Sequence, residues 1–138
     1  MKRLNIKTAV IVLLILSLLV NSGYAEVETL KEQDIDWEAQ GFTRMKTTAY
    51  CMGHHTAMGI PVHEGIAAAS ADHLRDVAIV YTTGGNFLGY YYCCDTGGTE
   101  GIQNGYVIDI YRRNLTQATS YMKITRGEVY VKWIKGEG

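Results

Sequence analysis

Beyond Gly41, short runs of β-branched, aromatic and alanine residues alternate with glycines along the chain. Residues of these types fit a pleated, half-buried surface, so each run is typical of a strand. The pattern predicts six strands, at 43–50, 66–69, 77–82, 88–94, 107–111 and 128–134. The glycines and asparagine at 84–86 accept the positive φ of a tight turn and predict an antiparallel hairpin.

One helix is predicted before the last strand. Asn114 can cap it, Gln117 occupies the capping-box position, and Leu115, Ala118 and Met122 form an apolar stripe. The sequence also allows a short helical turn at 71–74. Six short strands with one helix favour a small all-β barrel, because closure removes the exposed strand edges.

The first 25 residues have the pattern of a signal peptide. Lys2, Arg3 and Lys7 precede an uncharged apolar run at 9–20, and the small residues Gly23 and Ala25 occupy the −3 and −1 positions of a cleavage site. An uncleaved anchor is the alternative, but the run is about 12 residues and a membrane-spanning helix needs roughly 20. We therefore expect a secreted or cell-wall protein, with a flexible acidic leader at 26–41, a barrel domain at 42–138, and membrane contact only before cleavage.

The net charge of the chain without its predicted signal peptide bears on whether it binds nucleic acid. Without the signal peptide, 10 basic residues remain against 14 acidic ones, a net charge near −4. Nucleic-acid-binding domains usually carry a basic excess, so no nucleic-acid partner is expected.

The cysteine count excludes a disulfide scaffold. Cys51, Cys93 and Cys94 allow at most one intramolecular bridge and leave one thiol over. Adjacent residues of a strand point to opposite faces, so only one of Cys93 and Cys94 could readily meet Cys51. The sequence leaves open which one.

Short motifs recur in a fixed order through the predicted barrel. They are Thr-Ala-Tyr-Cys at 48–51, Thr-Ala-Met-Gly at 56–59, Glu-Gly-Ile-Ala-Ala at 64–68, Cys-Asp-Thr-Gly-Gly at 94–98 and Val-Ile-Asp-Ile-Tyr at 107–111. This series resembles the three-aspartate (3D) domain family of double-psi β-barrels, which includes secreted cell-wall proteins of Gram-positive bacteria and the barrel of membrane-bound lytic transglycosylase A. The resemblance runs from about Met45 to Ile134 and implies a six-stranded double-psi barrel.

The resemblance also implies an activity. It is the cleavage of the β-1,4 bond between N-acetylmuramic acid and N-acetylglucosamine in peptidoglycan, without water and with a 1,6-anhydro product. The position of the family's acid/base is Asp109, and Asp95 is the aspartate expected beside it. No metal or cofactor is implied. We expect further substrate contacts from the residues around these motifs: Thr47, Tyr50, Thr56, Ser70, Thr96, Gly97, Gly98 and Tyr111.

Elementary chemistry explains why two carboxyl groups would be wanted. Breaking a glycosidic bond needs an acid for the leaving oxygen and nearby negative charge for the developing oxocarbenium ion. Burial and the like charge of Asp95 would both raise the pKa of Asp109 and keep it protonated at rest.

Other interpretations remain open. Asp95 and Asp109 can instead cap a turn and a strand end, as aspartates beside glycines often do. The family's first aspartate is replaced by Ser70, which carries no charge, and Asp72 could replace it only by a two-residue shift within a strand. The competing class is therefore a degenerate binding or accessory module for cell-wall hydrolysis. Oligomeric state stays open, a strand-swapped dimer included.

A metal site or a thiol nucleophile is the less favoured chemistry. Cys51, His54 and His55 lack the paired spacing of zinc ligands, and nothing in the local sequence orients a histidine to activate Cys51. Glu100, on a glycine-bounded loop, is a candidate for one more carboxylate near the substrate.

Overall fold

The computed structural model describes residues 35–137, and the fold belongs to the compact unit that begins at Asp36. The strands are β1 (Thr43–Tyr50), β2 (Ile66–Ala68), β3 (Val77–Thr82), β4 (Phe87–Asp95), β5 (Val107–Tyr111) and β6 (Glu128–Ile134). The helices are α1 (Glu100–Gln103) and α2 (Leu115–Thr125), with one 3₁₀ turn at Ala71–His73. The signal peptide predicted at 1–25 and most of the predicted leader lie outside the described residues.

The six strands close into a mixed barrel in the order β1-β5-β2-β4-β3-β6. Two pairs are parallel, β1 with β5 and β2 with β4, and the remaining neighbours are antiparallel. The predicted closed six-stranded architecture is confirmed. All six predicted strands are present, with β2 one residue shorter and β4 extended by one residue at each end.

The core fills the barrel interior through the alternation of each strand. Inward-facing residues are almost completely buried, among them Val80 on β3, Cys93 on β4, Ile108 and Ile110 on β5, and Val131 on β6. Residues one position away point outward. The outer surface of the strands is therefore where functional side chains must lie.

The predicted hairpin joins β3 and β4. Gly85 adopts a φ of +87°, and its N–H donates to the Thr82 carbonyl at 3.0 Å. The Thr82 hydroxyl accepts from the Asn86 N–H at 3.0 Å, which closes the turn. The turn chemistry of the sequence thus sets this pairing.

Helix α2 begins where the sequence predicts. The Asn114 side chain accepts from the Gln117 N–H at 2.9 Å, but Gln117 itself accepts from Arg113 rather than from the capping residue. The predicted apolar stripe is only partly right: Leu115 is 71% exposed, while Tyr121 and Thr125 are buried with Ala118. No helix among the described residues is long and apolar enough to cross a membrane.

The segments before β1 and after β6 are both held against the barrel by side-chain contacts. At the start, Trp37 stacks on Tyr130 with ring centroids 4.9 Å apart, so the last residues of the predicted 26–41 leader pack on the strands. At the end, the buried Asp76 carboxylate accepts from Lys135 at 2.7 Å and from the Gly136 N–H at 3.1 Å. The His73 ring lies 3.0 Å from the same carboxylate.

Candidate functional site

The strand register places the two predicted aspartates in one row. Ala68 on β2 is paired with Asp109 on β5 and with Asp95 on β4, and Asp109 is paired in turn with Thr48 on β1. Side chains of one cross-strand row lie on the same face. Thr48, Asp109 and Ala68 thus lie on the outer surface of the barrel. A register shift between Ala67 and Ala68 pairs Asp95 with Ala68, and the four residues are here called the carboxylate row. The backbones of Asp95 and Asp109 are two strand spacings apart, roughly 10 Å.

Asp109 is half-buried within this row. Its Oδ1 accepts from the Thr48 hydroxyl at 2.8 Å. Burial raises the pKa of Asp109 by desolvating the anion, and the charge of Asp95 raises it further, whereas the Thr48 bond opposes the rise. The raised pKa extends to higher pH the range over which Asp109 keeps the proton that a general acid donates.

Asp95 is held by the surrounding loops. Its Oδ1 accepts from the N–H groups of Ala57 at 2.8 Å and Thr96 at 2.9 Å, and its Oδ2 accepts from the Tyr50 hydroxyl at 3.4 Å. Both carboxyl oxygens of Asp95 are therefore occupied as hydrogen-bond acceptors. Asp95 therefore also ties the loop after β1 to the end of β4, the structural role that the sequence left open.

Tyr50 and Tyr111 border the row on the same outer face. Their rings meet edge to face with centroids 5.4 Å apart, and the two residues are cross-strand partners. Burial, together with the charges of Asp95 and Asp109, raises the pKa of Tyr50, so its hydroxyl stays protonated and donates to Asp95. An aromatic pair thus stands directly beside the two carboxyl groups.

A pocket of about 260 Å³ adjoins the Asp95 end of the row. Its lining includes three of the residues predicted to contact substrate: Ser70, Thr96 and Gly97. Gln103 of α1 also lines it and was missed in the sequence, because α1 was predicted as a loop. The pocket offers hydroxyl and amide groups to a neutral polar substituent.

A larger groove of about 720 Å³ lies at the other end, along the starts of β1 and β5. Lys46, Tyr106 and Val107 line it, and Tyr106 is 69% exposed. Val107 precedes Asp109 by two residues on the same face, a separation of roughly 7 Å. The groove therefore ends two residues before Asp109 on the outer face of β5.

No family model, curated protein or solved structure matches this chain. The resemblance to the 3D domain family therefore rests on the sequence motifs alone.

Two predicted threonines do not face the row. Thr47 is buried in the barrel, where its hydroxyl donates to the Ile108 carbonyl at 3.0 Å and lies 2.8 Å from the Tyr121 hydroxyl. Thr56 is also buried and accepts from the Ile60 N–H at 3.2 Å. The hydroxyl that contacts Asp109 belongs to Thr48, which was missed in the sequence.

The remaining candidates are peripheral. Gly98 is exposed, and Asp72 lies exposed on the 3₁₀ turn, so a shift within a strand cannot bring it into the row. Glu100 is exposed at the start of α1, and His54 and His55 are exposed on the loop after β1. Ser70, at the position of the family's first aspartate, is buried at the pocket wall.

Two of the three cysteines, Cys93 and Cys94, are poorly suited to nucleophilic chemistry. All three are free thiols, and burial raises the pKa of Cys93 to about 12 and raises that of Cys94 as well. A high pKa keeps a thiol protonated and unreactive. Within residues 35–137, no three His, Cys, Asp or Glu side chains are grouped to hold a metal ion.

Proposed function

We propose that this protein is a peptidoglycan lytic transglycosylase with a 3D-type double-psi barrel, in which Asp109 is the acid/base. The observation that carries the proposal is the environment of Asp109. It is a half-buried carboxyl group with a raised pKa, held by Thr48 and placed in one row with Asp95 on the outer face of the barrel.

The strand pairing supports the double-psi assignment. The parallel pairs β1–β5 and β2–β4 are joined side by side through the antiparallel contact of β2 with β5. Each parallel pair needs a crossover connection, and two interlocked crossovers are what a double-psi barrel requires. Both proposed catalytic aspartates lie on strands of this central group.

The proposed reaction uses one carboxyl group twice. Asp109 gives its proton to the glycosidic oxygen as the bond from that oxygen to the anomeric carbon breaks, and the leaving sugar departs as an alcohol. The Asp109 carboxylate then takes the proton of the C6 hydroxyl of the cleaved sugar, whose oxygen bonds to the anomeric carbon. Asp109 is protonated again, and no water is consumed.

Asp95 has an electrostatic role in this proposal. Positive charge develops at the anomeric carbon between the two steps, and a carboxylate in the same row stabilises it. The hydrogen bonds from Ala57, Thr96 and Tyr50 keep that carboxylate in place. The replacement of the family's first aspartate by Ser70 leaves Asp95 as the main source of negative charge.

The surface features suit a linear glycan. Sugars on one side of the scissile bond would lie in the groove beside Val107, and those on the other side would meet Tyr50 and Tyr111. The pocket at Ser70 and Gln103 would take a sugar substituent. A secreted or cell-wall location, as the signal peptide predicts, would bring the protein to this polymer.

The second candidate is a glycan-binding module without activity. Two features favour it. The hydrogen bonds from Ala57 and Thr96 give Asp95 a role in holding the loops that does not require catalysis, and Ser70 carries no charge. The two candidates differ in whether replacing Asp109 abolishes product formation.

The test is incubation of the purified protein and its Asp109→Asn and Asp109→Ala variants with purified peptidoglycan. We expect the parent to release soluble fragments with 1,6-anhydro ends, and both variants to lose at least about 100-fold in rate, the usual effect of removing a general acid. Asp72→Asn is the matched control, since Asp72 is an exposed aspartate outside the row, and it should retain the parent's rate.

The outcomes separate the candidates. Retained activity in both Asp109 variants would reject Asp109 as the acid/base. A parent that binds peptidoglycan but releases no fragment would favour the binding module.

A further inference from the structure

The surface opposite the carboxylate row is rich in aromatic and aliphatic side chains. In the closed barrel, β3 lies three strands from β5 in either direction, so its outer face points away from Asp109. The outer residues of β3 and its neighbours β4 and β6 form three cross-strand rows, here called the β3 face: Ile134, Val77 and Tyr92; Lys132, Ile79 and Tyr90; Tyr130, Tyr81 and Phe87.

Large apolar side chains of this face are open to solvent. Phe87 is 49% exposed, Tyr90 62% and Ile134 48%. The only charged residue in the nine is Lys132, whose Nζ lies 5.7 Å from the Phe42 ring centroid. Phe87 and Tyr90 are in ring contact and so form one exposed apolar patch, which is a candidate interaction site.

The rings of the face form a connected series. Tyr90 contacts Phe87, and Phe87 contacts Tyr81, each at a centroid separation of 5.2 Å. Tyr81 contacts Trp37 at 5.1 Å, and Trp37 stacks on Tyr130 at 4.9 Å. Each inner ring is supported by the next, so Phe87 and Tyr90 are held in place at the exposed end.

The size of the face decides against a second copy of the chain as its occupant. Three strands with five or six residues along each cover a flat area of roughly 300 Å². Trp37 packs on Tyr81 and Tyr130, so the open part is smaller. A stable protein–protein interface needs about 800 Å² on each partner. A ligand a few rings long is a better match to this area.

Charge decides against a lipid surface. Residues 26–138 carry 10 basic and 14 acidic side chains, and the β3 face supplies one cation. Binding to anionic membranes usually draws on clusters of Lys and Arg. A ligand of the β3 face is therefore expected to be uncharged and to present a partly apolar surface.

We propose that the β3 face binds a polysaccharide strand by stacking its sugar rings on Tyr90, Phe87 and their supporting rings. A pyranose ring presents an apolar C–H face and a hydroxyl rim, which match an aromatic ring and a tyrosine hydroxyl. The choice of β-1,4-linked N-acetylhexosamine polymers rests on the proposed function. The face would hold the protein on an insoluble polymer while the Asp109 side remains free.

The test measures retention of the purified protein on sedimented peptidoglycan and on chitin. All measurements use the Asp109→Asn background, so that cleavage cannot release the protein. The Phe87→Ser, Tyr90→Ser double variant should bind both polymers at least tenfold more weakly, and Tyr90→Ser alone should have an intermediate effect. The matched control is the double variant Leu115→Ser, Ile124→Ser, which removes two exposed apolar side chains from α2 and should bind as the parent does.

Each outcome decides. Unchanged retention in the Phe87 and Tyr90 variants, or an equal loss in the α2 control, overturns the inference. The inference is also overturned if the Phe87 and Tyr90 variants keep their retention on the polymers but lose self-association in solution. The same holds if they keep that retention but lose binding to vesicles of anionic lipid. If the parent releases fragments but the Phe87→Ser, Tyr90→Ser variant is retained as before, this inference alone fails. If that variant is retained tenfold more weakly but the parent releases no fragments, the proposed function alone fails.

Discussion

The carboxyl groups of Asp109 and Asp76 are both withdrawn from solvent, but their surroundings shift their pKa values in opposite directions. Asp109 has one hydroxyl donor and a like charge nearby, and its pKa is raised by burial and by Asp95. Burial alone would also raise the pKa of Asp76, but hydrogen bonds from Lys135, His73 and the Gly136 N–H outweigh it and lower the pKa to about 2. A structural carboxylate and a candidate acid are thus distinguished by their partners.

This contrast predicts opposite effects of pH on stability. Because the folded pKa of Asp109 lies above the unfolded value, the folded state holds its proton longer, and stability falls as pH rises through that interval. Asp109→Asn removes the ionised form, so the variant should be more stable than the parent at pH 7. The difference should vanish below about pH 4, where the parent is protonated in both states. Thermal unfolding across pH 3–8 measures it.

Asp76→Asn is the matched control with the opposite sign. The depressed pKa of about 2 contributes about 2 kcal/mol that is present above pH 4 and lost as pH falls towards 2. The control variant should therefore be less stable at pH 7. An Asp109→Asn variant that is destabilised at pH 7, or whose effect does not change with pH, would contradict the environment assigned to Asp109.

The residues of the site were only partly predictable. Asp95, Asp109, Tyr50 and Tyr111 could be selected because they lie within or beside recognisable motifs. Thr47 and Thr48 are the same residue type in adjacent positions, so composition does not show which one faces outward. That choice depends on the pairing of β1 with β5, which joins residues 61 positions apart.

Helix α1 packs directly against Gly97, the second residue after Asp95. A Cβ at Gly97 would overlap Cδ1 of the buried Ile102, whereas a Cβ at Gly98 would meet nothing within 4 Å. Neither glycine has the positive φ that would itself exclude a side chain. Gly97 is thus required for packing, and that packing places Gln103 at the pocket.

This contact predicts a clear difference between two adjacent substitutions. Gly97→Ala should destabilise the protein by about 1–3 kcal/mol through overpacking, while Gly98→Ala should change stability by less than about 0.5 kcal/mol. The addition of Ile102→Ala should recover part of the Gly97→Ala loss, since the two groups are in contact. Equal melting temperatures for the two glycine variants would contradict the packing of α1.

The strands and α2 were predictable because their signals are local. Glycines separate the strands, and Asn114 caps the helix as its sequence indicates. Helix α1 was not predictable, because its four residues include Gly101, and glycine is a poor helix former. The prediction that Leu115 belongs to the buried stripe of α2 was wrong. Leu115 lies in the first turn of the helix and is exposed.

At the scale of the molecule, closure of the barrel creates two opposite surfaces. The carboxylate row lies on β4, β2, β5 and β1, and the β3 face lies on the far side. The alternation of the sequence predicts a barrel but not the order of its strands, because that order depends on pairings between distant segments. The separation of an apolar aromatic face from an acidic site therefore emerges only with the fold.

The central claim is that Asp109 drives glycan cleavage without water. The most direct test digests purified peptidoglycan in ¹⁸O-labelled water and measures the mass of the newly formed ends. We expect ends that are lighter by one water than a reducing sugar and carry no ¹⁸O. The parent and Asp72→Asn should form them, and Asp109→Asn should not. Ends that carry ¹⁸O would contradict it, and so would unlabelled ends formed at the parent's rate by Asp109→Asn.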